Sequence, residues 1–535
     1  MKINKFTSLF ATCLLMGLTA CSNDNVSDAD SSNSAENKDL TGKTSFSITS
    51  EAKTRTSGVY DGSGVDFYWT TNDNIWVNSG SATSPTLTAS SSNNITSTTA
   101  SAKFYFDGTY TAESYPVRYT GNANTSGNTV TIATSQNQDE ANNATQLGTV
   151  GDCGVGTATR QTDGSYKFTL SHEASYITFM PYYSKEELAA SAVVTQINVT
   201  VANGESLAGT FNFSDNGLGT AISSSSSNSV TLTLNGTSST TGFPIPKAAT
   251  ASKNAAIMVV APGTYSTFKV TYTLYDSVTG TESTISYTYS NIKCDAGKNQ
   301  KISTDLGMTT YTSRKSNYYM WDAKSNYWNG YESSQPLLNN HVSTDYAKSS
   351  ADSRWYNTAF TKNVQTKAIN SCKDQPTFEA LTWYIDGGSP QVDNKTLWVF
   401  ANHLYVGGIW IKKQSKIFNF SSAMSYPGTF TWNLGLDIPF SVDISGKPKA
   451  SVRSDYFYLP ALGKYTDGKL TGLGVSGYYW ASTPNPVNNG DRSKPYGKVI
   501  SANCLRFTID ESNMDNVYVR SYYERYVGMQ VQKFE

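Results

Sequence analysis

At 535 residues the chain is long enough for about three to four domains of roughly 100–200 residues each. Hydrophobic residues make up 38% and charged residues 16%, with Ser, Thr, Asn, Gly and Tyr abundant, the palette of extracellular β-proteins with many turns. A net charge of −1 leaves no electrostatic footprint for nucleic acid, and none for attachment to an acidic membrane surface by charge alone.

The chain opens with Lys2 and Lys5, then an apolar run from Phe6 to Leu18 that ends in Leu18-Thr19-Ala20-Cys21. That pattern is a lipobox: residues 1–20 read as a cleaved signal peptide and Cys21 as the lipidated first residue, anchored by its acyl chains. No other segment approaches the roughly 18 consecutive apolar residues of a spanning helix. Residues 21–40 are polar and Ser/Asn/Asp-rich, with almost nothing to bury, and read as a disordered tether. Asp24, Asp28 and Asp30 stand close behind the lipid, as a surface-export tag or as a plain spacer; both readings stay open.

From 41 to 309 the apolar residues recur with period two: Ser45–Ile48, Gln196–Val201, Val230–Leu234 and Phe268–Tyr272, separated by Gly, Asn, Asp and Ser. This predicts two tandem β-sandwiches, 41–182 and 183–309. Near the boundary, Ser184-Lys185-Glu186-Glu187 is a capping box opening onto Leu188 and Val193, which predicts a short helix. Several pieces occur in order: Thr54-Arg55-Thr56, Asp66–Trp69, Tyr115–Tyr119, Phe168–His172 and Gly297–Gly307. In that order the region resembles the fimbrillins, the lipoprotein-derived subunits of type V pili. The resemblance implies transthyretin-like sandwiches, cleavage after an arginine, and polymerisation with other pilus subunits through a donor strand. Arg55, followed by Thr56, is the candidate processing site. Cleavage there would remove the lipid together with the strand Thr44–Thr49, exposing apolar surface and unpaired backbone for another extended chain to fill.

Past residue 309 the composition shifts, and eight of the ten tryptophans lie between Trp321 and Trp480. Pro376–Ile385 is helical in pattern: Phe378, Leu381 and Ile385 share a face, and Gly387-Gly388 end it. Downstream come Leu459-Pro460-Ala461-Leu462-Gly463, a glycine-rich loop, Gly477–Thr483, Cys504–Phe507 and Tyr526–Val531. These pieces resemble the C-type-lectin-like "major paralogous" domain of bacterial surface lipoproteins. The resemblance spans about residues 315–535 and implies an α+β adhesive domain over 310–535.

Gly472-Leu473-Gly474-Val475-Ser476-Gly477 matches G-x-G-x-x-G but leads into the strand-like Tyr478–Trp480 instead of a helix, so it is not a dinucleotide site. With three histidines and no H-E-x-x-H, G-x-S-x-G or P-loop, no catalytic constellation appears; the chain is expected to be neither an enzyme nor a cofactor protein. His172 reads as structural. Beyond the leader, Cys153, Cys294, Cys372 and Cys504 allow three pairings and are too widely spaced for a zinc knuckle. The calcium triplets of lectins are missing, although 485–491 is an oxygen-rich loop. Trp480 and Trp383 sit in apolar patterns and are expected in the core, whereas Trp328, Tyr331 and Trp355 lie in polar surroundings and are the candidates to meet a ligand.

The sequence thus predicts an outer-membrane lipoprotein precursor that becomes a cell-surface pilus subunit. It would be a minor or tip adhesin with a glycan or protein receptor. The alternative is a stand-alone surface lipoprotein that binds glycans without polymerising.

Overall fold

Alternating segments become strands where one face is covered. In Lys43–Ile48 (KTSFSI) Phe46 and Ile48 point inward, and in Ala102–Asp107 (AKFYFD) Ala102, Phe104 and Phe106 do. The computed structural model describes residues 40–48, 57–60, 62, 65–122, 125–236, 241–359, 367–428, 438–440, 446–484, 501–509 and 517–535. Cys21, Arg55, Thr56 and the 485–491 loop lie outside the described residues.

Among the described residues the first sheet has nine strands. Its main path runs Leu87–Ala89, Trp76–Asn78, Ser114–Tyr119, Gly154–Arg160, Tyr166–Phe168, Lys43–Ile48, Ala102–Asp107 and Ser92–Asn93. One face buries Phe46, Trp69, Phe104, Phe106, Tyr119 and Tyr166 in a shared core.

A second stack follows. One sheet pairs Ser135–Gln138, Ser229–Leu234, Ala192–Val201, Gly263–Asp276 and Thr281–Cys294; a smaller one pairs Ala256–Val260, Ser175–Tyr182 and Asn299–Asp305. The sheets do not part at residues 182/183. Ser135–Gln138 and Ser175–Tyr182 both belong to the second stack, and Thr129–Ile132 pairs with Gly209–Ser214. Buried amides explain how Ser135–Gln138 is held. Gln136 exchanges bonds with Val259 (Nε2 to O 2.7 Å, N to Oε1 3.0 Å), and the Ile257 N–H donates to Gln138 Oε1 at 2.7 Å. These side chains supply the partners that the backbone of Ala256–Val260 would otherwise lack.

A buried cation ties the two stacks. Arg118, in the first sheet, donates from Nε to Asp215 Oδ1 at 2.6 Å. Its Nη1 donates to Gly127 O, Asn128 Oδ1 and Phe213 O at 2.9, 3.0 and 3.1 Å. Asp215 sits in the turn between strands Gly209–Ser214 and Gly217–Ala221 and also accepts from Asn78 Nδ2 at 2.8 Å. His172 is structural: it meets Asp152 Oδ1 at 2.8 Å, stacks on Phe67 at 4.1 Å, and touches Tyr176 OH at 3.0 Å.

The expected helix at 184–193 does not form; Ala192 already opens a strand. The side chains that would cap it are used elsewhere. Ser184 Oγ donates to Asp305 Oδ2 at 2.5 Å, Lys185 Nζ to Met308 O at 2.6 Å, and Glu186 accepts from Thr310 and Thr312 hydroxyls at 3.0 and 2.9 Å. Long-range partners outcompete a marginal local cap.

The C-terminal region is mixed α+β. Helix Phe378–Asp386 starts on Thr377, whose Oγ1 accepts from the Ala380 N–H at 3.1 Å, and ends as the Gly387 N–H donates to Trp383 O at 2.9 Å. It packs on a core including Phe457, Tyr479, Phe507 and Phe534. Within the segment Tyr526–Val531, Met529–Gln530 pairs as a strand. The hairpin Gln391–Phe400/His403–Lys412 inserts Leu397, Val399 and Leu404 into the core of the second stack. There His403 Nδ1 lies 3.0 Å from the buried Asp276 Oδ2, which also accepts from the Leu404 N–H at 3.0 Å. The fold is therefore mainly β: sandwich-type stacks followed by an α+β region that shares their core.

Candidate functional site

Two places concentrate features that ordinary packing does not require. The first is the position of Lys43–Ile48. It pairs antiparallel with Ala102–Asp107 over six residues, and parallel with Tyr166–Phe168 on its other side. At the exposed end of the ladder Lys43 pairs with Asp107 at 3.2 Å. Ser47 Oγ donates to Tyr166 O at 3.2 Å. Phe46 fills an aromatic box: its ring stacks on Tyr166 (4.5 Å, 8°) and meets Phe106, Tyr110 and Tyr115 edge-on at 4.9, 5.4 and 6.4 Å. Without this strand the sheet would fall into two pieces. Among the described residues, Ala102–Asp107 and Ser92–Asn93 have no other ladder to the rest of the sheet.

The second place is a cavity of about 230 Å³ in the C-terminal region, with Tyr327 at its floor, Tyr346, Trp355 and Tyr526 as walls, and Lys348 and Asp467 at its rim. Asp467 is presented by a tight hairpin. Thr466 pairs with Lys469, and Asp467 and Gly468 take φ of 48° and 74°, the two positive values of a type I′ turn. Gly468 is obligatory, because a Cβ there would lie 2.0 Å from Ser343 O. Tyr526 arrives from far along the chain, held by mutual backbone bonds of 2.8 Å between Tyr465 and Gly528. Lys348 Nζ stands 5.3 Å over the Tyr346 ring. The volume is below the ~300–1,000 Å³ of sites for larger ligands, so the cavity suits a single ring.

Of the residues proposed to meet a ligand, Trp355 alone lines this cavity, half-buried. Tyr331 is 45% exposed but lies under the Arg354 guanidinium at 4.3 Å, and Asp352 holds that group at 2.7 Å. The expectation for Trp328 is corrected: it is 1% exposed, packed edge-on against Tyr465 at 5.3 Å. The polar residues around it in sequence turn outward while the indole is drawn into the aromatic core with Tyr318 and Tyr327. Trp480 and Trp383 are buried as expected. Tyr346, Tyr526 and Asp467 carried no local signal apart from the Asp-Gly turn.

A larger cleft, about 540 Å³, runs between Thr284–Ser286, Met308 and the bulge around Asp393. Its buried Asp393 is engaged by Thr396 Oγ1 at 2.6 Å and Trp410 Nε1 at 2.9 Å, so the cleft is a seam between regions. Cys153, Cys294, Cys372 and Cys504 are buried, and burial pushes the Cys294 and Cys372 thiols up to about 12. The G-x-G-x-x-G run joins the ends of strands Lys469–Leu473 and Ser476–Pro484, with Gly474-Val475 as the turn between them. Among the described residues no group of three His, Cys, Asp or Glu side chains could hold a metal. Nor is any helix among them long and apolar enough to cross a membrane.

No protein-family model matches the chain, and no curated protein does. Among solved structures it is similar to a candidate cell adhesion protein from Bacteroides uniformis (12% identity, 49% of this chain and 93% of that one, TM-score 0.28). Another such protein, from Bacteroides ovatus, matches at 14% identity over 50% and 92% of the two chains, with TM-score 0.28. A fimbrial protein from Bacteroides ovatus matches at 12% identity over 53% of each chain, with TM-score 0.22.

Proposed function

We propose that this chain is a fimbrial subunit of the cell surface, made as a precursor lipidated at Cys21, processed between Arg55 and Thr56, and completed by a donor strand from a neighbouring subunit. The observation that carries this reading is the central place of Lys43–Ile48. A strand just ahead of a basic, cleavable stretch holds the first sheet together, paired on both sides. Its loss would leave two unpaired edges facing one slot, which an extended segment fills by strand addition. The same feature disfavours the non-polymerising alternative, which gives no reason for a removable central strand. The C-terminal region is the adhesive part, of lectin-like type, and its aromatic cavity is the place for a receptor group. Flat rings suit the apolar face of a neutral sugar, and Asp467 and Lys348 at the rim suit its hydroxyls.

The test is the N-terminal sequence of the chain recovered from purified filaments. Thr56 is expected, with metabolic lipid labelling confined to the precursor and abolished by Cys21→Ala. A filament-borne chain that still begins at Cys21 would sink the processing step.

A further inference from the structure

We infer that the slot held by Lys43–Ile48 selects its donor by an aromatic side chain in the register position of Phe46, followed two residues later by an aliphatic one in the position of Ile48. The inference rests on the donor-strand reading and adds the identity of the residues that are read. Backbone pairing with Ala102–Asp107 and Tyr166–Phe168 is indifferent to side chains, so it supplies affinity without choice. Selection must come from the places taken by the alternate residues Phe46 and Ile48, both buried in the core of the first sheet. The Phe46 pocket is walled by four rings, with Tyr166 parallel and Phe106, Tyr110 and Tyr115 edge-on. Two of these rings, Tyr110 and Tyr115, also hold each other edge-on at 5.3 Å, and Tyr166 and Tyr115 meet at 5.4 Å.

The box is also anchored from outside: Tyr166 OH donates to Ala112 O at 2.6 Å, and Tyr115 OH accepts from the Ala112 N–H at 3.1 Å. A cage fixed in this way cannot collapse around a smaller guest. An alanine leaves a void, and a leucine fills volume but forfeits the ring pairing. At the other end, Lys43 against Asp107 rewards a cationic residue three positions before the aromatic one. The donor is therefore an extended segment of the form basic-x-x-aromatic-x-aliphatic, carried by another subunit.

The experiment uses the full chain after the lipidated cysteine, with a site-specific protease sequence replacing residues 51–56. After cleavage, labelled peptides spanning residues 40–50 compete with the resident strand. Peptide uptake and the melting temperature of the first sandwich are both read. The native peptide and Phe46→Tyr are expected to bind alike. Phe46→Leu should bind about tenfold more weakly and Phe46→Ala more than about 100-fold more weakly. A Tyr166→Leu protein should narrow the gap between the Phe and Leu peptides. If cleavage and washing leave the melting temperature unchanged, no slot opens, and the donor-strand reading falls together with this one. If the slot opens and all four peptides fill it equally, donor exchange stands and aromatic selection is overturned.

Discussion

Arg118 offers the sharpest stability test, because its bonds join the two stacks. Replacing it with Met keeps the aliphatic stem and removes the guanidinium. Asp215 then loses its 2.6 Å partner, and Gly127 O, Asn128 Oδ1 and Phe213 O lose theirs. The site is buried: the Arg118 side chain is 2% exposed and that of Asp215 16%. Breaking one half of a buried pair costs about 3–5 kcal/mol, since the remaining charge stays desolvated without compensation. Asn78 still donates to Asp215 at 2.8 Å, which places the expected loss near the lower end, about 3 kcal/mol, or roughly 100-fold in the local opening equilibrium. Because a chain of this size need not unfold in one step, hydrogen exchange of the Ser114–Tyr119 and Gly209–Ser214 strands is a better assay than a global melt. Adding Asp215→Asn should recover a good part of the loss by removing the stranded charge. A single mutant whose exchange in both strands matches the parent would refute the idea that this pair locks the stacks.

At the junction with the C-terminal region, burial alone would raise the carboxyl of Asp276, but bonds from His403, the Leu404 N–H and Ser191 outweigh it and bring it from 3.8 down to about 2. A depressed carboxyl stabilises above its unfolded value and loses that contribution as pH falls toward 2. Protease accessibility of the junction should therefore rise between about pH 4 and pH 2, and Asp276→Asn should flatten that rise. Gly468→Ala meets both a φ of 74° and a clash with Ser343 O, so a loss of about 1–3 kcal/mol is expected by differential scanning calorimetry; an unchanged melt would mean the hairpin relaxes freely. In a chain beginning at Thr56, the four buried thiols should resist alkylation at pH 8 and react only in denaturant, and rapid native labelling would contradict their burial. Trp355→Ala should lower adherence of filaments to a glycan-coated surface without altering filament length, whereas Tyr331→Ala should change neither.

Period-two patterns were legible because each strand needs only one buried face, and Lys43–Ile48, Ala192–Val201 and Ser229–Leu234 all form from them. The helix Phe378–Asp386 was legible for the same local reason, having both a cap and an apolar face. Residues 129–138 were harder to place. Their membership of the second stack depends on Gln136 and Gln138 reaching backbone more than a hundred residues away, and a polar amide gives no hint of that. The failed helix at Ser184 and the buried Trp328 share one cause: polar neighbours in sequence say little once a distant segment supplies the partner. The aromatic cavity was half legible, through Trp355. Its other lining residues are brought together by long-range contacts, among them the bridge between Tyr465 and Gly528 and the stacking of Tyr327 on Tyr346.

That bridge also bears on how the proposed subunit would sit in a filament. The segment from Tyr526 onward is built into its own region: Met529–Gln530 pairs with Tyr318–Tyr319, and the Val531 N–H donates to Asn317 O at 2.9 Å. Phe534 is packed among Tyr384, Phe457 and Tyr479, and the Gln414 N–H donates to Glu535 O at 2.7 Å. Pulling this segment out to fill a neighbour's slot would uncover a buried ring, at about 3–5 kcal/mol for that ring alone, and would unpair the backbone that closes the cavity. The Lys43–Ile48 slot pays no such penalty once its strand is cut away, since filling it restores a sheet instead of dismantling one. On the proposed reading, a subunit that receives at the Lys43–Ile48 slot while residues 526–535 stay built into its own region is expected at a filament's distal end. Immunogold against residues 310–535 should mark filament tips; regular labelling along the shaft would mean that another segment of this chain donates.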